Sequence, residues 1–140
     1  MLYVNVREIE NILQGIEDTI VEIRGKNKTI PLTIIVDSYA GATAKSKAAE
    51  GYEKVGYNTD KALIMSDRLG QIADLAGREN VALVFTNQLR VKMDAMAFSD
   101  PYQTPGGKAL PFYSSVRLRV KSATKLKATR NGVEEIVGIK

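Results

Sequence analysis

The stretch VALVFTNQLRVKMDAMAFSDPYQTPGGKALPFYSSVRL, residues 81–118, decides how the chain folds and where its chemistry lies. It opens as an apolar, β-branched run ending at Thr86, which predicts a strand buried on both faces, as in parallel sheets. The polar pair Asn87-Gln88 follows at once. Ligands of open parallel sheets gather beyond the carboxyl ends of the strands, so an amide at that point is a candidate contact. A sheet-end glutamine that only satisfies backbone groups is the commoner case. Next comes a long loop carrying Arg90, Lys92, Met93, Met96 and Phe98, which closes on Gly106-Gly107-Lys108. A loop that orders on a polyanion needs cations, apolar side chains able to part stacked bases, and glycines whose bare amides approach a phosphate. Beyond it, YSSVRLRV alternates and predicts a half-exposed strand.

Upstream, PLTIIVDS has the same buried-strand character and ends on Asp37-Ser38. Four mostly apolar residues and a terminal Asp form the pattern of a Walker B strand, whose carboxylate helps hold Mg²⁺. An Asp at a strand end is more often a turn or cap residue, so this piece is weak alone. Between the two strands, Ala62, Met65, Leu69, Ile72, Ala73 and Ala76 share one helical face and predict a helix from Asp60 to about Gly77. Residues 40–59 lack a clear period and predict a loop with a short helical piece. Earlier still, Ile9, Ile12, Leu13, Ile16, Ile20 and Ile23 predict a helix from Val6 to about Arg24, closed by Gly25 and KNKT. Asn5 and Glu8 have capping-box spacing at its start. LYVNV is a short strand candidate, so that strand, helix and strand suggest a parallel crossover unit. At the other end, TKLKATRNGVEEIVGI predicts two short strands joined at Asn131-Gly132. The expected fold is α/β: one domain over residues 1–140, a parallel sheet flanked by helices and ending in an antiparallel hairpin.

Composition narrows the function. The chain has neither cysteine nor histidine, which excludes disulfides, Cys/His metal sites and any Ser-His-Asp or Cys-His mechanism. No apolar run reaches the roughly 18 residues that span a bilayer, and no signal core follows the N-terminus; a cytoplasmic protein without a membrane partner is expected. Residues 1–89 hold 10 Lys/Arg against 12 Asp/Glu, whereas residues 90–140 hold 10 against 4. A basic second part on a mildly acidic body suggests a polyanion partner, although a solvated, lysine-rich hairpin would show the same charge.

Together, TIIVDSYAG, IMSDRLGQIADLAG, VFTNQLRVKM and TPGGKALPFYSSVRLRV resemble, in order and spacing, the core of the RecA recombinases, bacterial and phage. The resemblance covers roughly residues 30 to 122. It implies a RecA-like partial core acting in DNA recombination and repair, one that binds single-stranded DNA in an ATP-linked filament. Asp37 would be the Walker B carboxylate near Mg²⁺, with Ser38 beside it. Gln88 would contact the terminal phosphate of ATP and pass its presence to the second DNA-binding loop, Leu89 to about Pro105. Residues 45–59 would correspond to the first. Ser66, Arg90, Met93, Gly106 and Gly107 fall where family members touch DNA, and Lys92 adds a cation. Phe112 would sit at the interface between neighbouring protomers.

The sequence departs from the family pattern in several places. Lys108 stands where bacterial members usually carry Asn, which favours a phosphate contact. Pro111 replaces a common Lys, and Gly70 stands where a basic DNA-contacting residue is frequent, with Arg68 close by. These departures resemble a divergent phage-type member. The G-x-x-x-x-G-K-[ST] phosphate loop is not in the sequence; the nearest form, Gly51 to Gly56, is followed by Tyr57-Asn58. The intact family uses ATP and Mg²⁺, whereas this chain alone is expected to bind them weakly or not at all and not to hydrolyse ATP. Its expected partners are single-stranded DNA and either another copy or a recombinase protomer. The alternative is a non-enzymatic remnant that docks onto a full recombinase filament and regulates it.

Overall fold

The isoleucine and leucine stripe of the N-terminal third forms helix α1, Ile9–Lys26, in a computed structural model that describes residues 1–48, 59–92, 98–105, 107–121, 125–130 and 133–139. Ile9, Leu13, Ile16 and Ile20 are buried along one face. The helix begins three residues later than the periodicity predicts, and its N-cap is Glu8, not Asn5. A side-chain cap is not needed because an orphan first-turn amide, Ile9 N–H, donates to the Thr43 carbonyl at 2.8 Å, and Thr43 N–H returns to the Arg7 carbonyl at 2.9 Å. LYVNV forms no strand; Leu2, Tyr3 and Val4 are exposed. Nor does Gly25 end the helix. The chain leaves at Asn27, whose side-chain oxygen accepts the amides of Thr29 and Ile30 and so turns it towards the first strand.

Strand β1, Leu32–Val36, pairs in parallel with β2, Val81–Phe85, in a register running from Leu32 opposite Val81 to Val36 opposite Phe85. The connection between them carries a 3₁₀ turn at Tyr39–Gly41, the short helix α2, Lys45–Ala48, and the long helix α3, Thr59–Arg78. The crossover is thus β1-α3-β2, not one led by LYVNV. Met65, Leu69, Ile72 and Ala76 of α3 pack with the α1 stripe over one face of the two strands. Leu32, Ile34, Val81, Leu83 and Phe85 point into that core. The other face is open: Thr33, Ile35, Ala82 and Val84 are exposed, Ile35 by 64%. Burial on both faces, as the sequence predicts, is therefore not what β1 and β2 show. Both helices lie on the same side, and among the described residues nothing covers the other.

Two buried cations tie this core together. Arg24, near the end of α1, donates from Nε to the Glu79 carbonyl at 2.8 Å and from Nη1 to the Ile30 carbonyl at 2.9 Å. It pins the end of α1 to the α3–β2 turn, where Asn80 adopts a left-handed φ of 51°. Lys61 plays a comparable part at the other end of α3.

After β2, strands β3, Arg90–Val91, and β4, Tyr102–Gln103, form a two-residue antiparallel ladder. Helix α4, Ala109–Tyr113, packs on α3, and β5, Lys125–Arg130, pairs antiparallel with β6, Val133–Ile139. The hairpin predicted at the C-terminus is present, while its Asn131-Gly132 turn lies outside the described residues. YSSVRLRV is not a strand: Tyr113 ends α4, and residues 114–121 have no ladder partner among the described residues. Alternation supplies a strand's faces but not its neighbour. Among the described residues no helix is long and apolar enough to cross a membrane.

Candidate nucleic-acid interface

The parallel register brings the carboxyl ends of β1 and β2 side by side, so Asp37-Ser38 and Thr86-Asn87-Gln88 meet at one edge. Thr86 is the staple. Its amide donates to the Val36 carbonyl at 3.0 Å, its hydroxyl donates to Asp37 Oδ1 at 2.6 Å, and its carbonyl accepts the Tyr39 amide at 3.1 Å. One carboxylate oxygen of Asp37 is thereby fixed, and the side chain stays exposed. The Asp37-Ser38 peptide is cis. Asn87 reaches across to the far end of the loop, donating from Nδ2 to the Pro105 carbonyl at 3.2 Å, and Gln88 is exposed beside it.

The loop springs from a closed neck. Arg90 lies opposite Gln103 and Val91 opposite Tyr102, and Lys92 N–H donates to the Pro101 carbonyl at 2.8 Å. Asp100 accepts the Tyr102 amide on Oδ1 at 3.1 Å and the Arg119 guanidinium on Oδ2 at 3.0 Å. Arg119 also lies 4.6 Å from the centre of the Tyr102 ring, a cation–π distance. The Tyr102 amide, helped by Arg119 and Lys92, holds the Asp100 carboxyl below its ordinary range. Lys92 turns its ammonium to the Asp100 carbonyl at 3.1 Å. Arg90 is exposed.

The returning end of the loop rests on α3. Gly107 has φ +75°, and a Cβ there would stand 3.0 Å from the Ala62 Cβ, so only glycine fits both the backbone and the contact. Lys108 is exposed and caps α4 through its carbonyl, which accepts the Phe112 amide at 3.0 Å. Phe112 is 78% exposed and meets Tyr113 edge to face at 5.0 Å. Ser66 is exposed on α3, one turn beyond Ala62, and its hydroxyl donates to the Ala62 carbonyl at 2.8 Å.

The structure thus gathers Asp37, Ser38 and Gln88 at the sheet edge, and it places Arg90, Lys92, Gly107, Lys108 and Ser66 around the loop neck and the first turns of α3. Met93, Met96 and Gly106, with residues 49–58 of the expected first loop, lie outside the described residues. Arg68 is no substitute for a basic residue at position 70: its guanidinium turns to Glu17 at 2.9 Å on α1. Gly70 instead makes room for Tyr113, whose hydroxyl a Cβ would meet at 2.8 Å.

Asp37 is a single carboxylate with one oxygen already bonded to Thr86, and among the described residues no group of three acidic side chains could hold a metal ion. With no phosphate-cradling motif in the sequence, the residues present fit a contribution to an ATP–Mg²⁺ site but not a whole one.

Three features escape sequence reading. Thr86 ends an apolar run and reads as part of the strand. Asp100 and Arg119 are 19 residues apart with no pattern joining them. Lys61 does leave a signal: it occupies the buried stripe of α3 one turn before Met65, where a charge is out of place.

The fold and this sheet-edge arrangement define an α/β core in which a parallel crossover, β1-α3-β2, gathers polar residues at the carboxyl ends of its two strands. The RecA N-terminal domain family matches residues 6–140, and the chain belongs to that family. Protein RecA of Campylobacter jejuni is 35% identical over 123 residues, covering 86% of this chain and 35% of that protein. Protein RecA of Staphylococcus carnosus is 42% identical over 107 residues, 75% of this chain and 28% of that protein. Protein RecA of Macrococcus caseolyticus is 41% identical over 105 residues, with coverage of 75% and 28%. The chain therefore spans about a third of the length of the curated relatives it matches.

Proposed function

We propose that this chain supplies the single-stranded-DNA-binding part of a RecA-type protein acting in homologous recombination and DNA repair. The observation that carries the reading is the anchored loop: Arg90 and Lys92 leave the sheet beside Gln88, and Gly107-Lys108 return against α3, around a neck closed by Asp100 and Arg119. In that reading Arg90, Lys92 and Lys108 meet backbone phosphates and Met93 inserts between bases. Gly106, Gly107 and Ser66 allow or make close backbone contact. Gln88 senses the terminal phosphate of ATP, and Asp37 with Ser38 contributes to the Mg²⁺ shell, partly through water. The remaining donors of a nucleotide site must come from outside residues 1–140, so this chain alone binds ATP weakly and releases no phosphate from it. Phe112, apolar and 78% exposed beside the α4 surface, is the contact to a second copy or to a recombinase protomer.

Fluorescence anisotropy with labelled single-stranded DNA, with and without ATP and Mg²⁺, at two salt concentrations, tests this. Salt-sensitive binding indifferent to ATP is expected. Absence of binding in every condition would defeat the DNA-binding reading and leave the docking role through Phe112.

A further inference from the structure

Lys61 is buried in the first turn of α3, yet it carries no carboxylate partner among the bonds described for it. Its ammonium donates to backbone carbonyls: to Tyr39, to Ala42 at 2.8 Å and, at a longer 3.4 Å, to Ala40. It also lies 4.1 Å from the centre of the Tyr39 ring. Three carbonyls and an aromatic face form a cation cage, and the lysine fills it from within the chain. The caged turn begins directly after Asp37-Ser38, and its Tyr39 amide is strapped to Thr86. The next residue of α3, Ala62, is the one against which Gly107 packs. One helical turn therefore touches the strand-end turn with Lys61 and the returning end of the loop with Ala62.

We propose that Lys61 is a positioning residue that couples the turn behind Asp37-Ser38 to the Gly107-Lys108 end of the loop, through the first turn of α3. The DNA role of that loop rests on the function proposed above; the mechanical coupling does not. With the ammonium in place, a shift of the Tyr39–Ala42 turn must carry the start of α3 with it. Ala62 then presses on or withdraws from Gly107, whose φ of +75° leaves it little room to yield. Removing the charge takes the ammonium from the Ala42 carbonyl and leaves the Tyr39 carbonyl its bond from the Ala42 amide, so the turn keeps its own closure and loses its tie to the helix. Burial lowers the affinity of Lys61 for its proton, and Arg90 lowers it further, consistent with the ammonium sitting between the core and the loop neck.

Amide hydrogen exchange on the full chain, without DNA, tests the coupling. Gly41 and Ala42 report the turn, through their bonds to the Ser38 and Tyr39 carbonyls, and Phe112 reports the loop's returning end, through its bond to Lys108. In Lys61→Met, exchange at Gly41, Ala42 and Phe112 should quicken about tenfold or more, while Ile34 and Leu83 in the sheet stay protected. In Lys61→Ala, n-propylammonium should restore protection at all three amides and 1-propanol should not. Gly107→Ala should disturb Ala42 from the opposite end. Faster exchange at Gly41 and Ala42 with Phe112 unchanged would overturn the coupling and leave a local brace. Unchanged exchange throughout, or equal rescue by the alcohol, would overturn the positioning role itself. A wild-type chain that binds no DNA would defeat the functional reading, while these exchange rates would still decide the role of Lys61.

Discussion

Residues 9–88 and residues 90–139 are built on different terms. In the first region two helices and two parallel strands share one apolar core, and every buried apolar side chain among the described residues comes from it except Ala109, which packs onto the same core from α4. In the second, Val116, Leu118 and Val120 are exposed, Arg117 and Lys121 stand among them, and order comes from a few directed contacts. Asn87 holds Pro105, Asp100 holds Arg119, and two glycines let Gly107 meet Ala62 and Tyr113 meet Gly70. The difference teaches where free energy resides. Stability belongs to the first region, and the cations of the proposed DNA loop lie in the second, so substitutions of core residues and of those cations should separate cleanly.

The largest expected effect lies in the core. Ile72→Ala, at a fully buried position of α3 in the core, should cost about 2–5 kcal/mol in urea unfolding; a loss below about 1 kcal/mol would mean that the core is not one packed unit. Arg24→Met should come next. It strips the Glu79 and Ile30 carbonyls of a charged donor, at about 1.5–3 kcal/mol by the same measurement. Arg119→Ala crosses to the second region and should lower global stability by no more than about 1 kcal/mol, because the pair is partly exposed. It should nevertheless quicken exchange of the Lys92 amide in the loop neck; an unchanged Lys92 amide would show that the clamp is ornamental.

The smallest effect is one of pH. Asp100 has its folded-state pKa lowered, chiefly by the Tyr102 amide, so its contribution is complete above the ordinary carboxyl value of 3.8 and is lost as pH falls through the lower folded value. The Tyr102 amide resonance should therefore shift only in strongly acid solution. A transition above the ordinary carboxyl value would contradict the clamp.

Much of the first region is legible in the sequence, because helical periodicity and apolar runs report burial directly. Helix α3 is predicted within one residue at each end, and β1 and β2 are found as strands. Their faces are not: Leu-Thr-Ile-Ile-Val reads as buried throughout, and only the placement of both helices on one side exposes Ile35. YSSVRLRV fails for the complementary reason, since its alternation is real but strand formation depends on a neighbour the local sequence does not contain. At the site, the loop's cations and glycines announce themselves by type. Thr86 and the Asp100–Arg119 pair do not, and Lys61 shows only as a charge within an apolar stripe, because the partners of each are distant in the chain.

The most direct test of the central claim is the salt dependence of single-stranded-DNA binding, compared between the wild-type chain and an Arg90→Ala/Lys92→Ala double variant. Two lost phosphate contacts should flatten the slope of log K against log salt by about 1.4 while the unfolding midpoint stays near wild type. An unchanged slope would contradict the placement of the DNA contact at this loop.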